Sequence, residues 1–169
     1  MSQLPLYETS ALLQTVLPLF LVRCGVAAFC GALVGLEREL KHKPAGFRTN
    51  ILICVGASIY MSAGLLLASA TGGPGAVDPT RIAAQVVTGI GFLGAGCIVQ
   101  AGGRVMGLTS AATIWVVAGI GLLAGAGFPV LAVVAALMVL LTLVVLGKFE
   151  HDVLESVSDA EGTGPTTRR

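Results

Sequence analysis

The chain has 169 residues, of which 55% are hydrophobic and 11% are charged, and its formal net charge at pH 7 is +1. A soluble domain carries about 25% charged residues, so this composition excludes a protein whose whole surface faces water. The weak net charge gives no electrostatic reason to expect a nucleic-acid partner, and we expect none.

The charged residues are unevenly distributed along the chain. Residues 49–77, 82–103 and 105–147 contain none, and a further apolar stretch, residues 15–36, is interrupted only by Arg23. A helix needs about 20 apolar residues to cross a bilayer core of ~30 Å. The longest run divides at the glycines and proline of residues 125–129, which typically separate helices. The sequence therefore predicts an all-α membrane bundle of five transmembrane helices, at about 17–38, 50–70, 81–101, 108–126 and 129–148.

Both ends of the chain lie outside the predicted bundle of residues 17–148. In the N-terminal segment, residues 1–16, the stretch 8–16 favours a short interfacial helix, and Pro18 then either begins the first span or kinks it. Residues 149–169 are acidic, small and polar, which predicts a short and partly disordered tail.

The basic residues outside the spans predict the orientation. Arg38, Lys41, Lys43 and Arg48 lie in the first connection, Arg104 lies in the third, and Lys148, Arg168 and Arg169 lie in the tail. Short loops rich in Lys and Arg remain in the cytoplasm. We therefore expect the N-terminus outside and the C-terminus in the cytoplasm.

The third predicted span contains glycines with the spacing of a nucleotide-binding loop, Gly89-x-Gly91-x-x-Gly94. Such a loop follows a strand and is followed by an acidic residue about 20 positions later, whereas the next acidic residue here is Glu150. Two interpretations remain: close helix packing, or a broken helix whose carbonyls bind a cation. We take packing as the main one, and its candidate residues are Gly31, Gly35, Gly89, Gly91, Gly94, Gly96, Gly121 and Gly125.

Polar residues near the predicted outer surface form a first candidate set. Asp78 is placed as the N-cap of the third span, with Pro79 at its first position. Arg81 and Gln85 then follow on one face, and Gln85 needs a partner because an unpaired amide in lipid is costly. Arg23, in the first span, either extends to the outer interface or serves as a charge within the membrane.

A second candidate set lies near the predicted inner surface, and consists of Glu37, Arg38, Arg48, Thr109 and Thr113. The two threonines are also explained by hydroxyl groups that bond carbonyls of their own helix. Together the two sets either line a path through the membrane or hold a rigid bundle together. The four cysteines fall within spans and are expected to be small buried side chains rather than metal ligands.

Four blocks of sequence resemble the MgtC/SapB family: "GLERE" at 35–39, "AGFRTN" at 45–50, "DPTRIAAQVVTGIGFLGAG" at 78–96 and "GLTSAATIWVVAGIGLLAG" at 107–125. The resemblance implies a small bacterial inner-membrane protein concerned with growth at low magnesium and, in pathogens, with virulence. Some members are described as inhibitors of the membrane part of the rotary ATP synthase. The matching motif positions are Glu37, Arg38, Arg48, Asp78, Arg81, Gln85, Gly91, Gly94, Thr109 and Thr113.

Longer members of this family carry a C-terminal domain that resembles an ACT-type regulatory module. Only about 20 residues follow the last predicted span in this sequence, so we expect no such domain here. Any function that needs the module is therefore in doubt for this chain.

The sequence leaves two functions open and makes a third unattractive. The first is a regulatory membrane protein that binds a partner, such as a membrane subunit of the ATP synthase. The second is a homodimeric transporter or channel for Mg²⁺ or another cation, with Glu37 and Asp78 as candidate metal ligands. An enzyme is not expected, because the sequence shows no catalytic Ser-His or Cys-His pair and no paired carboxylates within the spans. No cofactor other than Mg²⁺ is implied.

Overall fold

The computed structural model describes residues 6–70, 78–101 and 104–160, and side chains within 13–70, 78–100 and 105–149. In chain order the elements of that part are α1 (Leu6–Leu40), α2 (Phe47–Ala70), α3 (Pro79–Gly96), β1 (Val99–Ala101), β2 (Arg104–Met106), α4 (Leu108–Gly125) and α5 (Pro129–Ala160). The predicted all-α bundle of five helices is confirmed.

Four segments of these helices are long and apolar enough to cross a membrane: Leu13–Leu40, Phe47–Ala70, Leu108–Gly125 and Pro129–Phe149. The 18-residue α3 is less apolar, because Arg81 and Gln85 lie within it. Since the chain enters and leaves the apolar layer several times, the fold is that of a multi-pass membrane protein.

The third predicted span, 81–101, is too long at its C-terminal end. Helix α3 stops at Gly96, and β1 then pairs with β2 in an antiparallel ladder in which Val99 lies opposite Met106. Glycine weakens a helix by about 1 kcal/mol per residue relative to alanine, and β-branched residues such as Ile98 and Val99 fit a strand well. This local preference outweighs the continuous apolar character from which the span was predicted.

The ends of α1 and α5 extend beyond the predicted spans. Helix α1 is continuous from Leu6 with Pro18 inside it, so residues 8–16 are part of α1 and do not form a separate helix. Helix α5 continues to Ala160, into the predicted tail. Disorder at the end of that tail was predicted for residues that include 161–169, which lie outside the described residues.

The interior of the bundle contains many small side chains together with a few isoleucines and valines, such as Ile114 and Ile120, while most of the large apolar side chains point outward. Fully or almost fully buried positions include Ala27, Cys30, Cys54, Ala118 and Ala132, while leucine, valine, phenylalanine and methionine dominate the exposed surface. Lipid tails solvate large apolar side chains as well as a protein core does. Small residues are therefore most useful inside, where they let helices approach closely.

Helix α4 is the centre of the bundle, since it contacts each of the other four helices. A β-carbon on Gly121 or Gly125 would collide with the backbone of α2 at Cys54 or Ser58 respectively. The closest helix packing is therefore on α4, at two of the predicted packing glycines, rather than on the glycine-rich third span. At 100° per residue the four glycines of α3 do not share one face, so they do not all contact one neighbouring helix.

The other predicted packing glycines divide into two groups. Those in contact are Gly31 and Gly35, where a β-carbon would lie 2.7 Å from Asn50 O and 2.9 Å from Phe47 Cα, and Gly94, where it would lie 3.6 Å from Ala111 O. In contrast, a β-carbon on Gly89, Gly91 or Gly96 would meet nothing within 4 Å. Within one chain these three glycines leave open space on α3.

The bundle has two ends, the Glu37 end and the Asp78 end. The Glu37 end holds the C-terminus of α1 and the N-termini of α2 and α4. The Asp78 end holds the N-terminus of α3 and the C-terminus of α4, as shown by the approach of Ile82 to Gly64 and by the hydrogen bond from Ser62 to Gly125 O.

Candidate functional site

Two charged side chains are almost completely buried at the Glu37 end. Glu37 is 8% exposed and Arg38 is 3% exposed. Arg38 Nη2 donates a hydrogen bond of 2.9 Å to Ser110 Oγ at the start of α4. Its Nη1 lies 3.8 Å from Glu37 Oε2, and Lys41 Nζ lies 2.7 Å from Glu37 Oε1. The carboxylate therefore sits between two cations and compensates the buried guanidinium.

The connection between α1 and α2 is folded back on this cluster by polar contacts. Glu39 Oε2 accepts a 2.9 Å hydrogen bond from the backbone N–H of Phe47. Asn50, which has no exposed surface, donates through Nδ2 to Ala45 O at 2.9 Å and Gly46 O at 2.8 Å. In the sequence, Asn50 marks the predicted start of a span, and neither Asn50 nor Ser110 belongs to the two candidate sets. The sequence feature that could have identified them is that both are polar residues in the first turn of an apolar helix.

The predicted inner set is only partly brought together. Glu37 and Arg38 meet, and Thr113 is buried with its hydroxyl bonded to Thr109 O at 2.7 Å, as expected for a threonine that satisfies its own helix. Arg48 and Thr109 are exposed. We therefore define the Glu37 cluster as Glu37, Arg38, Lys41, Asn50 and Ser110.

Some buried polar atoms of the Glu37 cluster have no hydrogen-bond partner among the described residues. They are both carboxylate oxygens of Glu37, whose contact with Lys41 is an ion pair, together with Arg38 Nε and Asn50 Oδ1. Buried polar groups are normally satisfied by protein or by ordered water. The cluster therefore has the capacity to bind water or a small cation through oxygen atoms.

At the Asp78 end, Arg23 is bonded inside the bundle. Its Nη1 donates to Gly125 O at 2.9 Å, and Ser62 Oγ donates to the same carbonyl at 3.2 Å. Gly125 is the last residue of α4, and the final carbonyls of a helix have no partner within it. Arg23 and Ser62 thus close the end of α4, which favours the interpretation of Arg23 as a charge held within the membrane.

The remaining predicted outer residues, at the start of α3 and within its first two turns, are exposed. Asp78 is the N-cap, accepting hydrogen bonds from both the N–H and the hydroxyl of Thr80, with Pro79 at the first helical position as predicted. These bonds, and more weakly the charge of Arg81, lower the pKa of Asp78. Asp78 therefore stays ionised at neutral pH, and its support of α3 is lost only when the pH falls below the usual carboxyl range of about 4.

Arg81 and Gln85 are both exposed, although the sequence interpretation expected Gln85 to face another helix or a cavity. Gln85 instead borders a groove of about 500 Å³ between α2 and α3, which is otherwise lined mainly by apolar and small residues such as Leu52, Gly56 and Gly89. The spacing of apolar residues along a membrane helix does not reveal which side faces the protein interior, because lipid and protein core are equally apolar.

The structure does not bring the two candidate metal ligands together. Glu37 and Asp78 lie at opposite ends of the bundle, and the described residues contain no group of three or more His, Cys, Asp or Glu side chains that could hold a metal ion.

The helices and their buried polar groups define a multi-pass helical membrane protein that keeps ionisable side chains inside its bundle. The family model described as "MgtC family" matches residues 24–152, and the chain belongs to that family. No solved structure matches the chain.

Three curated relatives illustrate the similarity. The protein MgtC of Brucella abortus (strain 2308) is 45% identical over 118 residues, which cover 69% of this chain and 47% of the relative. The Escherichia coli K12 protein named "Putative magnesium transporter YhiD" is 44% identical over 131 residues, covering 73% and 59% respectively. The protein MgtC of Salmonella typhimurium LT2 is 42% identical over 136 residues, covering 80% and 56%. The chain thus spans about half the length of the curated relatives it matches.

Proposed function

We propose that this chain is a regulatory membrane protein of the bacterial inner membrane that supports adaptation to low magnesium by binding a partner. The link to magnesium is supported by family membership and by the name of the Escherichia coli relative. The observation that carries the regulatory role is that the candidate transport ligands already have partners. Glu37 is paired with Lys41, and Asp78 caps α3.

A conduit for Mg²⁺ needs sites of a different kind. Mg²⁺ prefers six oxygen ligands, sheds its water reluctantly and is usually held by more than one carboxylate or phosphate group. The single carboxylate of the Glu37 cluster is flanked by two cations, which repel a further cation. Close packing through Gly121 and Gly125 also fills the space between α2 and α4.

The second candidate function is cation transport, favoured by one observation. Glu37 Oε2 and Asn50 Oδ1 are buried and accept no hydrogen bond within the described residues, so they are available to a cation or its water shell, whereas Glu37 Oε1 is paired with Lys41. A transporter would use these oxygens during transit and would change the pairing of Lys41.

The first prediction separates these two functions. Purified chain in proteoliposomes that enclose a Mg²⁺-sensitive dye is expected to give no uptake above that of empty vesicles, because Glu37 remains paired with Lys41. Vesicles containing an established Mg²⁺ channel provide the positive control. Mg²⁺ uptake by the wild-type chain that is lost in Glu37→Gln, in a preparation shown to be folded, would establish the transporter instead.

The second prediction concerns the partner, for which the family resemblance suggests the membrane part of the rotary ATP synthase. Co-reconstitution of the wild-type chain with the bacterial ATP synthase is expected to lower ATP-driven proton pumping at least twofold. The pH-sensitive dye signal should be unaffected by an unrelated membrane bundle added at the same lipid ratio. If proton pumping is unchanged when the chain is in large excess over the ATP synthase, the ATP synthase is not the partner. The Mg²⁺ uptake measurement of the first prediction is independent of that outcome.

A further inference from the structure

The outward face of α3 differs chemically from the outward faces of the other helices. It presents Arg81 and Gln85, with Gly91 and Ala95 further along, all exposed, and Phe92, at 83% exposed, lies on the same side. The exposed side of α5 carries large apolar groups, such as Leu137 at 51% and Met138 at 65%. Helix α3 therefore places polar and small side chains beside apolar ones, on a surface where α5 is mainly apolar.

Gln85 lies at membrane depth. The side chain of Ile82 approaches Gly64 in α2, and Gly94 approaches Ala111 near the start of α4. Gln85 lies between these two levels, where both neighbouring helices are candidate membrane spans. A side-chain amide at that depth is unfavourable unless its donors and acceptor are paired.

The described part of the chain offers this amide no partner. The hydroxyl of Thr88, on the next turn, is satisfied by Ala84 O at 3.0 Å. Gln85 makes no side-chain hydrogen bond in that part, and neither does Arg81. Gln85 therefore has no partner among the described residues, and its amide is open to a group from another molecule.

A second copy of the chain supplies groups that match. The amide of Gln85 has both donors and an acceptor, so two of them hydrogen-bond to each other across a two-fold axis. Asp78 and Arg81 lie one turn apart, are both exposed and have opposite charges. In a parallel pair of α3 helices each copy places an aspartate beside the arginine of the other. The open space at Gly91 permits close approach of the two backbones.

We propose that α3 is the contact between two copies of this chain, with the two Gln85 amides paired at its centre and Asp78 of each copy beside Arg81 of the other. This inference concerns assembly and does not depend on the proposed regulatory function. Failure of the dimer to form would contradict this inference, whereas an unaffected ATP synthase would contradict only the proposed partner.

Cross-linking of otherwise wild-type helices tests the contact. Thr88→Cys, one turn from Gln85 and exposed, is made in a chain whose native cysteines, Cys24, Cys30, Cys54 and Cys97, are replaced by alanine, so that Gln85 itself is unchanged. The matched control is Leu137→Cys on the lipid-facing side of α5. In purified nanodiscs a short bismaleimide is expected to convert most of the Thr88→Cys chain to dimer, and less than a tenth of the control. Equal or greater cross-linking of the control, or a chain that is monomeric by native mass spectrometry, would overturn the proposal.

Charge reversal tests the pairing between copies. Asp78→Arg and Arg81→Asp each place like charges at the contact, so each is expected to reduce its own dimer at least tenfold. Co-expression of the two variants, carrying different tags, is expected to restore a mixed dimer, because one copy is then basic and the other acidic. Failure of the mixed dimer to form, while both variants remain folded by circular dichroism, would show that these charges do not meet.

Discussion

Gly121→Ala is expected to destabilise the bundle by more than about 3 kcal/mol. The added β-carbon would collide with the carbonyl oxygen of Cys54 and lie 2.9 Å from the β-carbon of Ala57. Overpacking a core typically costs about 1–3 kcal/mol when side chains can shift. Here the obstacle is the backbone of α2, so α2 and α4 must move apart. Denaturation by SDS, followed by circular dichroism, measures the change in unfolding free energy.

Gly119→Ala is the matched control, because it makes the same chemical change on the same helix. A β-carbon on Gly119 would meet nothing within 4 Å. Alanine favours a helix over glycine by about 1 kcal/mol, so this variant is expected to be as stable as wild type or more so. The packing explanation would be wrong if both alanine variants had the same stability.

The sequence predicted those parts of the fold that depend on composition along the chain. Charge-free runs placed the helices, and the Asp78-Pro79 pair placed the start of α3, because an N-cap and an N1 proline act locally. The C-terminal end of α3 was not predicted, because the short strand β1, which begins at Val99, interrupts an otherwise continuous apolar run.

The candidate site was predicted less completely, because its members depend on which face of each helix is inside. Glu37 and Arg38 were selected as charges near the membrane, and both are buried. Asn50 and Ser110 were not selected, since each lies within two residues of a polar residue that was selected, Arg48 or Thr109, and the sequence does not show which of the neighbours points inward. Gln85 was selected for the same reason as the buried charges but lies on the outside of α3. In a water-soluble protein, alternation of polar and apolar residues would have settled this; in a membrane both environments are apolar.

Glu37→Gln is expected to be the most damaging single substitution in the Glu37 cluster. It removes the carboxylate that compensates Arg38, which is 3% exposed and whose Nη1 is 3.8 Å from Glu37 Oε2. Removing one partner of a buried pair typically costs about 3–5 kcal/mol, because the other charge is left uncompensated. The midpoint of thermal unfolding in detergent should fall accordingly. Glu39→Gln is the control: Glu39 is exposed, and an amide oxygen can still accept the N–H of Phe47.

The double variant Glu37→Gln/Arg38→Met tests whether the loss comes from the charge or from the missing carboxylate contacts. With both charges gone, no buried guanidinium needs compensation, and the hydroxyl of Ser110 can bond a carbonyl of its own helix. Replacing a buried pair by side chains without charge is often neutral or stabilising, so the double variant should recover most of the stability lost in Glu37→Gln. Arg38→Met is made as a single variant as well. If the double variant loses as much unfolding free energy as the two single variants together, Glu37 and Arg38 act independently. The cluster would then be two separate anchors of α1, with Lys41 alone holding the carboxylate at 2.7 Å.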